Sequence, residues 1–338
     1  MRAAIFRGGD IVVDTLPEPK PAQGQVLVKT LACGICGSDL HAAKHAHRMV
    51  DISRRAGRLP MDLSRDVVMG HEFCCEVIDY GPGTEKKVKP GTRVCAMPVM
   101  LEADGPKGMG YSNAYVGGYA EQMLLAAPLL LEVPNGLSTE HAALTEPLAV
   151  GVHAVEKGAL KGDETPLVVG CGPVGLAVIV ALRLKGIRPI IAADFSPKRR
   201  ELAVRMGADI VIDPAKEDAY VKLAPGKRVA LFECVGVPGI IQQMMEKAPR
   251  DARIVVVGVC MESDTIEPMF GIVKELSLQF VLGYTPEEFA RSLRLLADGE
   301  VDAPSLITAK VGLDGVKGAF AELGNPERHT KILVEPWR

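Results

Sequence analysis

The stretch VVGCGPVG, residues 168–175, constrains the fold of this chain more than any other. Gly170, Gly172 and Gly175 have the spacing G-x-G-x-x-G, between a short apolar run and a helical pattern that has Pro173 at its first position. In such a junction the first glycine permits a tight turn, the second lets a pyrophosphate approach the backbone, and the third lets helix and strand pack closely. The free N–H groups of the helix N-terminus bind phosphate oxygens. The motif therefore predicts a dinucleotide site, and the alternative is a tight turn that binds no ligand.

The pattern around this motif predicts two domains. From residue 149 to 284, short apolar strands alternate with helical segments, which indicates a doubly wound parallel sheet. Earlier runs such as GQVLVKTLA are short, alternating and separated by Gly and Pro, which favours an irregular, mostly β domain. A capping box from Thr285 to Glu288 starts a helix that leads back to it. We predict an α/β protein with one domain at 1–148, completed by 285–338, and a second at 149–284.

The cofactor choice depends on residues that follow the next predicted strand. Asp194 is placed where a carboxylate accepts hydrogen bonds from the adenosine ribose and repels a 2′-phosphate, which favours NAD over NADP. Lys198 and Arg199 lie close by and leave NADP open, because cationic side chains suit a phosphate. The predicted cofactor-binding residues are Gly170, Gly172, Pro173, Val174, Gly175, Asp194 and Arg199.

Composition excludes several classes of partner. With 39 basic and 42 acidic side chains the formal charge is −3, so we expect neither a nucleic acid nor a membrane as partner. The N-terminal residues contain no hydrophobic signal region, and the chain has no uncharged apolar run long enough to span a bilayer. We expect a cytoplasmic protein that acts on a small molecule. Its eight cysteines are then thiols or metal ligands rather than disulfides.

Two further motifs bring together residues that bind metals. CGSDLH covers residues 36–41, and GHE covers residues 70–72. With GGYAEQ at 117–122, ALTEPLAVGVHA at 143–154 and the glycine motif, the chain resembles the zinc-dependent medium-chain dehydrogenase/reductase family over nearly its whole length. It is most similar to the branch of sorbitol, or polyol, and threonine dehydrogenases. The resemblance implies a GroES-like catalytic domain, a Rossmann NAD-binding domain, one catalytic zinc per chain, and a homodimer or homotetramer.

A thiolate, an imidazole and a carboxylate would hold zinc and leave one position open, as in a catalytic site. Cys36 and His71 are the firm candidates, and the third ligand is either Glu72 or Glu146, with exchange between them. His71 and Glu72 would face opposite sides of a regular strand, so both reach one ion only if the backbone bends. Asp39 would then orient His71 from behind.

The resemblance implies reversible oxidation of an alcohol. Zinc lowers the pKa of a bound hydroxyl, and hydride passes from the alcohol to the nicotinamide. The proton would leave through Ser38, the nicotinamide ribose and His41. The catalytic residues are therefore predicted to be Ser38, His41, Cys36 and His71.

Two features depart from the family. Where many zinc alcohol dehydrogenases have four cysteines that bind a structural zinc, this chain has only Cys95, so we expect no structural zinc. Gly37 stands where several relatives have a basic residue that contacts the pyrophosphate.

Three alternatives stay open. One is a zinc-free quinone or enoyl reductase of the same superfamily, and another is a non-catalytic NAD-binding structural protein. A third is thiol redox chemistry at Cys33 and Cys36.

The segment 42–69 makes the gap between Cys36 and His71 longer than in sorbitol dehydrogenase relatives. Its first part predicts one helix that ends near Gly57 and carries arginines. These are Arg48, Arg54 and Arg55, with Arg58 just beyond. The helix is either a lid whose arginine meets the substrate, or a solvated surface helix or subunit contact. The sequence does not identify the alcohol, since polyols, diols and amino alcohols all fit. The run LSLQFVLG could pair with a second copy of the chain, as it does in relatives.

Overall fold

The structure is a computed structural model that describes residues 1–58 and 61–338. Its chain forms two compact units. The first unit contains Met1–Glu146, Leu293–Asn325 and Lys331–Arg338, and the second contains Pro147–Ser292 and Pro326–Thr330.

The early elements belong mainly to the first unit. The strands are β1 (Arg2–Arg7), β2 (Asp10–Thr15), β3 (Gln25–Gly34), β4 (Glu72–Tyr80), β5 (Arg93–Ala96), β6 (Val99–Glu102), β7 (Gly105–Gly108), β8 (Gln122–Ala126) and β9 (Leu130–Glu132). The helices are α1 (Gly37–Lys44), α2 (Ala46–Arg55), α3 (Thr139–Ala142) and α4 (Thr145–Lys157), with a 3₁₀ turn at Ala127–Leu129.

The later elements belong to the second unit and to the C-terminal segments that complete the first unit. The strands are β10 (Thr165–Val169), β11 (Ile191–Ala193), β12 (Ile210–Ile212), β13 (Val229–Glu233), β14 (Arg253–Val256), β15 (Ser277–Phe280), β16 (Ile307–Val311) and β17 (Lys331–Val334). The helices are α5 (Pro173–Leu184), α6 (Pro197–Met206), α7 (Ile240–Lys247), α8 (Pro268–Lys274), α9 (Pro286–Ala297), α10 (Ala303–Leu306) and α11 (Val316–Leu323), with 3₁₀ turns at Ala219–Lys222 and Leu313–Gly315.

The first unit is built on a mostly antiparallel sheet. Its strand order is β16-β17-β3-β4-β5-β9, and β8 also pairs with β3. Along β3 the side chains of Val26, Val28, Thr30 and Ala32 alternate into the core, because successive strand residues face opposite sides. Gly34 ends β3 and pairs with Glu72 of β4 on one side and with Leu333 of β17 on the other. The three central strands therefore meet at the point from which the chain runs into α1.

The second unit contains the predicted doubly wound sheet. Its strand order is β12-β11-β10-β13-β14-β15, and every neighbouring pair is parallel. The order reverses between β10 and β13, and in such sheets ligands bind beside the carboxyl ends of the strands at the reversal. Helix α5 starts at the end of β10, and its run from Gly175 to Leu182 is entirely buried. The capping box of α9 is also present, since Thr285 N donates to Glu288 at 2.7 Å and Glu288 N donates to Thr285 Oγ1 at 3.2 Å.

The helix predicted after His41 differs in the structure. The chain forms two helices, α1 and α2, with a break at His45, whose φ of −121° and ψ of 34° are not helical. The prediction of one continuous helix was therefore wrong, although the chain does turn at Gly57, where φ is +69°. The break lets α2 turn so that Met49 and Val50 pack against the core of the first unit. Residues 59 and 60 of the predicted insertion lie outside the described residues.

None of the described helices combines the length and the apolar character that crossing a membrane requires.

Candidate metal and cofactor sites

The backbone bend that the sequence required lies at Gly70. Its φ is +99°, a left-handed conformation that favours glycine, and β4 starts only at Glu72. A Cβ at Gly70 would also lie 2.8 Å from Tyr119 Cδ1 and 2.9 Å from Cys33 Sγ. His71 therefore precedes the regular strand, and its side chain and that of Glu72 reach the same region.

Three of the predicted ligands come together. Cys36 lies at the N-cap of α1, and its Sγ, a ring nitrogen of His71 and a carboxylate oxygen of Glu72 all lie within 4.8 Å of one another. Donors bound to one zinc at about 2.0–2.3 Å lie roughly 3.5 Å apart, so a shift of about 1 Å would close the set on an ion. Thiolate, imidazole and carboxylate are the donors that zinc prefers, and the residues present fit the metal.

Asp39 is fully buried behind His71. Its Oδ1 lies 3.4 Å from His71 Nδ1, which has no aligned hydrogen bond within the part of the chain that the structure describes. Asp39 Oδ1 accepts from Tyr111 at 2.7 Å, and Asp39 Oδ2 accepts from Tyr119 at 2.7 Å and from the Cys36 N–H at 3.0 Å. Asp39 thus ties α1 to the loop that carries the two tyrosines.

These contacts set the charges of the site. Burial raises the pKa of Asp39, but His71, Tyr119 and the Cys36 N–H outweigh burial and hold the pKa below its usual range. Burial lowers the pKa of His71, and the negative charge of Asp39 more than offsets burial, so the net pKa lies well above the usual range. Zinc binding at His71 would therefore release a proton.

Glu72 forms a buried ion pair that the sequence analysis missed. Lys331 Nζ donates to both carboxylate oxygens, at 2.8 and 2.6 Å, and to the Ile35 carbonyl at 3.1 Å. Lys331 is 2% exposed and Glu72 is 0% exposed. A Cβ on Gly34 would lie 2.0 Å from Glu72 Oε2, so the absence of a side chain at Gly34 makes room for the carboxylate. A charged residue at the start of the apolar run KILV was the signal that could have found Lys331.

The other candidate third ligand is also buried but differs in position. Glu146 lies in the first turn of α4 and is 8% exposed. Burial lowers the pKa of Lys331, but the negative charges of Glu72, Cys36 and Glu146 contribute to a net rise in that pKa. Glu146 therefore acts electrostatically on Lys331, whereas Glu72 is the carboxylate that lies within reach of both Cys36 and His71.

The predicted proton acceptors lie on α1. Ser38 Oγ is 2.9 Å from the hydroxyl of Tyr111, a residue that the sequence analysis did not identify. His41 follows one turn later and is half-buried, and burial, followed by the nearby His45 and Lys44, lowers its pKa. Nothing in the spacing links Tyr111 to Ser38, because the fold alone brings them together.

Cys33 and Cys95 take structural positions. Cys33 is buried in β3, where burial raises its thiol pKa well above the usual range. Cys95 is buried in β5 with its Sγ 3.3 Å from the Ala142 carbonyl. Both thiols are packed against protein.

The glycine motif has the geometry that its spacing predicts. Gly170 has a φ of +91°, and a Cβ on Gly175 would lie 1.9 Å from the Gly170 carbonyl oxygen. The turn and the close packing of α5 on β10 therefore require glycine at both places. Pro173 and Val174 start α5; Pro173 has no N–H, and the N–H groups of Val174 and Gly175 have no acceptor within the helix, so they suit phosphate oxygens.

Asp194 and Arg199 flank this motif. Asp194 Oδ2 accepts from the Cys171 N–H at 2.7 Å, and Oδ1 accepts from the Ser196 N–H at 2.8 Å. Arg199 NH1 lies 3.9 Å from Asp194, and its buried Nε has no hydrogen-bond partner among the described residues. A Cβ built on Gly172 would lie 3.9 Å from Arg199 Cζ, so the guanidinium stands beside the glycine that a pyrophosphate would approach. These residues fit a dinucleotide.

Comparisons with known proteins point to one family. Residues 22–135 match the alcohol dehydrogenase GroES-like domain, and residues 173–298 match the zinc-binding dehydrogenase domain. (R,R)-Butanediol dehydrogenase of Bacillus subtilis (strain 168) is 34% identical over 345 residues, which cover 97% of this chain and 97% of that protein. Sorbitol dehydrogenase of the same strain is 28% identical over 358 residues, covering 100% of this chain and 98% of that protein. A protein from Sinorhizobium meliloti 1021, solved bound to NADP, has a TM-score of 0.84 and 27% identity over 99% of both chains.

The matches confirm the family and the fold class that the sequence predicted, and they favour the zinc-dependent enzyme over the zinc-free reductase and the non-catalytic protein. The chain belongs to the zinc-dependent medium-chain alcohol dehydrogenase family and is an oxidoreductase that transfers a hydride between a secondary alcohol or polyol and NAD(P).

Proposed function

We propose that this enzyme oxidises a small vicinal diol with NAD and that Cys36, His71 and Glu72 hold its catalytic zinc. The observation that carries the proposal is the convergence of these three donors beside the hydroxyl of Ser38. The substrate class is supported by the similarity to butanediol dehydrogenase over nearly the full length of both chains.

Each residue of the site has a distinct role. When bound, zinc lowers the pKa of an alcohol hydroxyl by acting as a Lewis acid. Asp39 fixes the ring of His71, as carboxylates commonly do behind a metal-bound histidine. Ser38 would accept the hydroxyl proton as it gives up its own, and His41, one turn along α1, would pass a proton to solvent. Because its pKa is lowered, His41 is neutral at pH 7 and able to accept.

Glu146 exchanges with Glu72 in this proposal. The negative charges of Glu72 and Glu146 both stabilise the buried ammonium of Lys331. If Glu72 shifts from Lys331 toward the metal, the charge of Glu146 still balances that ammonium. The proximity of a Glu72 oxygen to Cys36 and His71, all within 4.8 Å of one another, supports Glu72 as the ligand in the resting site.

The glycine motif and Arg199 bind the pyrophosphate, and Asp194 binds the adenosine ribose. The carboxylate at Asp194 supports NAD as the preferred cofactor. Some activity with NADP is also expected, because Arg199 lies beside Asp194 and a relative was solved bound to NADP.

The enzyme acts as a homo-oligomer in the cytoplasm in this proposal. Strand β15 is the last strand of its sheet and carries exposed Phe280, which supports pairing with a second copy. All eight cysteines are free, which suits a reducing compartment.

The test is a panel of alcohols assayed with NAD and with NADP by the absorbance of the reduced cofactor. Stereoisomers of 2,3-butanediol, sorbitol and ethanol form the panel, and elemental analysis measures zinc. We expect the highest kcat/KM for a butanediol isomer with NAD and one zinc per chain. Cys36→Ser should abolish most turnover and zinc binding while NAD still binds.

Cys260→Ser is the matched control, since Cys260 is a half-exposed thiol of the second unit. Full activity in Cys36→Ser, or two zinc ions per chain, would contradict the proposed metal site. A higher kcat/KM for sorbitol than for every diol would contradict the substrate class alone.

A further inference from the structure

We propose that Tyr111 is a positioning residue that presets the Ser38 hydroxyl as an acceptor for the substrate's hydroxyl group. The inference deepens the proposed function, because it rests on the role of Ser38 given there. It adds a residue outside the sequence motifs and predicts that the site prefers a hydrogen-bond donor.

The orientation of the Ser38 hydroxyl follows from the single proton that each of the Tyr111 and Ser38 hydroxyl groups can donate. A carboxylate only accepts hydrogen bonds, so the 2.7 Å contact between Tyr111 and Asp39 Oδ1 uses the one proton of the tyrosine hydroxyl. In its 2.9 Å contact with Ser38, Tyr111 can then only accept, and Ser38 must donate. The lone pairs of Ser38 Oγ are left for a substrate group that donates.

The anchor of this chain of hydrogen bonds is firmly held. Asp39 is 0% exposed, and its other oxygen already accepts from Tyr119 and from the Cys36 N–H. Exchange of these partners is unfavourable, because each lost hydrogen bond would leave a buried polar atom unpaired.

The ring of Tyr111 is also fixed. Its centroid is 5.6 Å from that of His71, with the planes tilted by 50°. The preceding Gly110 has a φ of +83°, and a Cβ there would lie 3.3 Å from the Gly70 carbonyl. Tyr111 therefore contacts a candidate metal ligand with its ring and the candidate proton acceptor with its hydroxyl, so the two are held in one fixed relation.

The experiment compares two unreactive ligands in the zinc-loaded enzyme with NAD. Pinacol is a tertiary diol, whose hydroxyl groups can donate or accept a hydrogen bond but whose carbinol carbons carry no hydrogen to transfer as hydride. The carbonyl oxygen of isobutyramide can only accept. Binding is measured by titration calorimetry, so the readout does not depend on turnover.

We expect Tyr111→Phe to tighten isobutyramide binding roughly tenfold, the scale of one hydrogen bond, and to leave pinacol binding nearly unchanged, because a diol hydroxyl can donate or accept whereas the amide carbonyl can only accept. Without the tyrosine hydroxyl, Ser38 is free to rotate and point its proton at the ligand. A residue that only fills space would change both affinities in the same direction. Equal affinities of wild type and Tyr111→Phe for both ligands would overturn the proposal.

Two tyrosine variants test whether the change in ligand binding arises from the Tyr111–Ser38 contact, from the loop or from Asp39. Tyr115 lies in the same loop but its hydroxyl donates to Glu102, so Tyr115→Phe should match wild type. The hydroxyl of Tyr119 donates to Asp39 and lies 3.3 Å from the Gly34 carbonyl, so Tyr119→Phe removes a different donor to Asp39 and should not tighten isobutyramide binding. If Tyr119→Phe tightens isobutyramide binding as much as Tyr111→Phe does, the effect runs through Asp39 and the proposal is wrong.

Ser38→Ala is the second variant, because it leaves Tyr111 and Asp39 in place. It should lose the preference for pinacol by itself, and adding Tyr111→Phe should cause no further change. A preference that survives Ser38→Ala would overturn the proposal even if Tyr111→Phe lost its zinc. If the wild type oxidises no diol and binds no pinacol, it is the proposed substrate class that has failed.

Discussion

At the scale of single residues, Asp194 has a structural role in addition to its predicted contact with the ribose. Its two oxygens accept the buried N–H groups of Cys171 and Ser196, and so join the glycine motif to the start of α6. Arg199 stands beside it, whereas Lys198 donates to the Glu327 carbonyl and is engaged elsewhere. A change at Asp194 therefore alters both the charge seen by the cofactor and the shape of the loop.

We predict that Asp194→Gly raises kcat/KM with NADP relative to NAD, because the carboxylate no longer repels a 2′-phosphate and Arg199 attracts it. The same change should lower the free energy of unfolding by about 1–3 kcal/mol for each buried N–H left without an acceptor. Kinetics with both cofactors and a denaturant titration measure the two effects.

Asp194→Asn is the matched variant, since it removes the charge but keeps one acceptor oxygen. It should move the cofactor ratio in the same direction at a smaller loss of stability. A ratio that stays constant in both variants would place the selectivity at other residues.

Spacing in the sequence identified the residues that act through local geometry. Cys36, Ser38 and Asp39 share one short segment, and His71 with Glu72 requires a bend that Gly70 supplies. Lys331 could not be placed, because its contact with Glu72 spans 259 positions and exists only through the pairing of β17 with β3 and of β3 with β4.

At the scale of elements, α2 shows how periodicity leaves the function of a segment open. Its apolar side chains Met49 and Val50 pack on the core, while Arg54 and Arg55 are exposed. The Arg55 side chain is 74% exposed and pairs with Asp51 at 3.3 Å within the helix. A pair this exposed contributes little to stability. The geometry favours the solvated surface helix over a lid formed by these two arginines.

We predict that replacing Arg54 and Arg55 together by Ala changes KM for the alcohol by less than about twofold and leaves KM for NAD unchanged. Met49→Ala, a change on the packed face of the same helix, should instead lower the free energy of unfolding by about 1–2 kcal/mol. Steady-state kinetics and thermal unfolding provide the comparison. A KM for the alcohol that rises several-fold in the double variant would support the lid.

The strand and helix pattern of the second unit was predicted well, because each parallel strand is a short apolar run followed by a helix. The break at His45 was not, since residues 41–56 contain no proline or glycine to mark it, and the turn serves packing in three dimensions. Local preference predicts that a helix forms, whereas tertiary contacts decide where it bends.

At the scale of the whole molecule, the second unit has one strand edge that carries unusually apolar residues. Strand β15 pairs only with β14 within its sheet, and Phe280 is 63% exposed. Leu282 is 70% exposed just beyond the strand, and Met269 and Ile272 of α8 are 63% and 68% exposed. An edge strand offers free N–H and C=O groups, and apolar side chains beside it favour burial against another chain.

We therefore predict that the enzyme is a dimer or a larger even-numbered assembly in which β15 pairs with β15 of a second copy. Phe280→Lys should shift the mass measured by light scattering to that of a smaller species, because a charge on an edge strand opposes pairing. Val221→Lys is the control, since Val221 is 68% exposed on the 3₁₀ turn Ala219–Lys222 of the same unit and should leave the mass unchanged. NAD binding retained by both variants would show that the sheet is intact. A monomeric wild type, or a Phe280→Lys variant with the mass of the wild type, would mean that this edge does not form the interface.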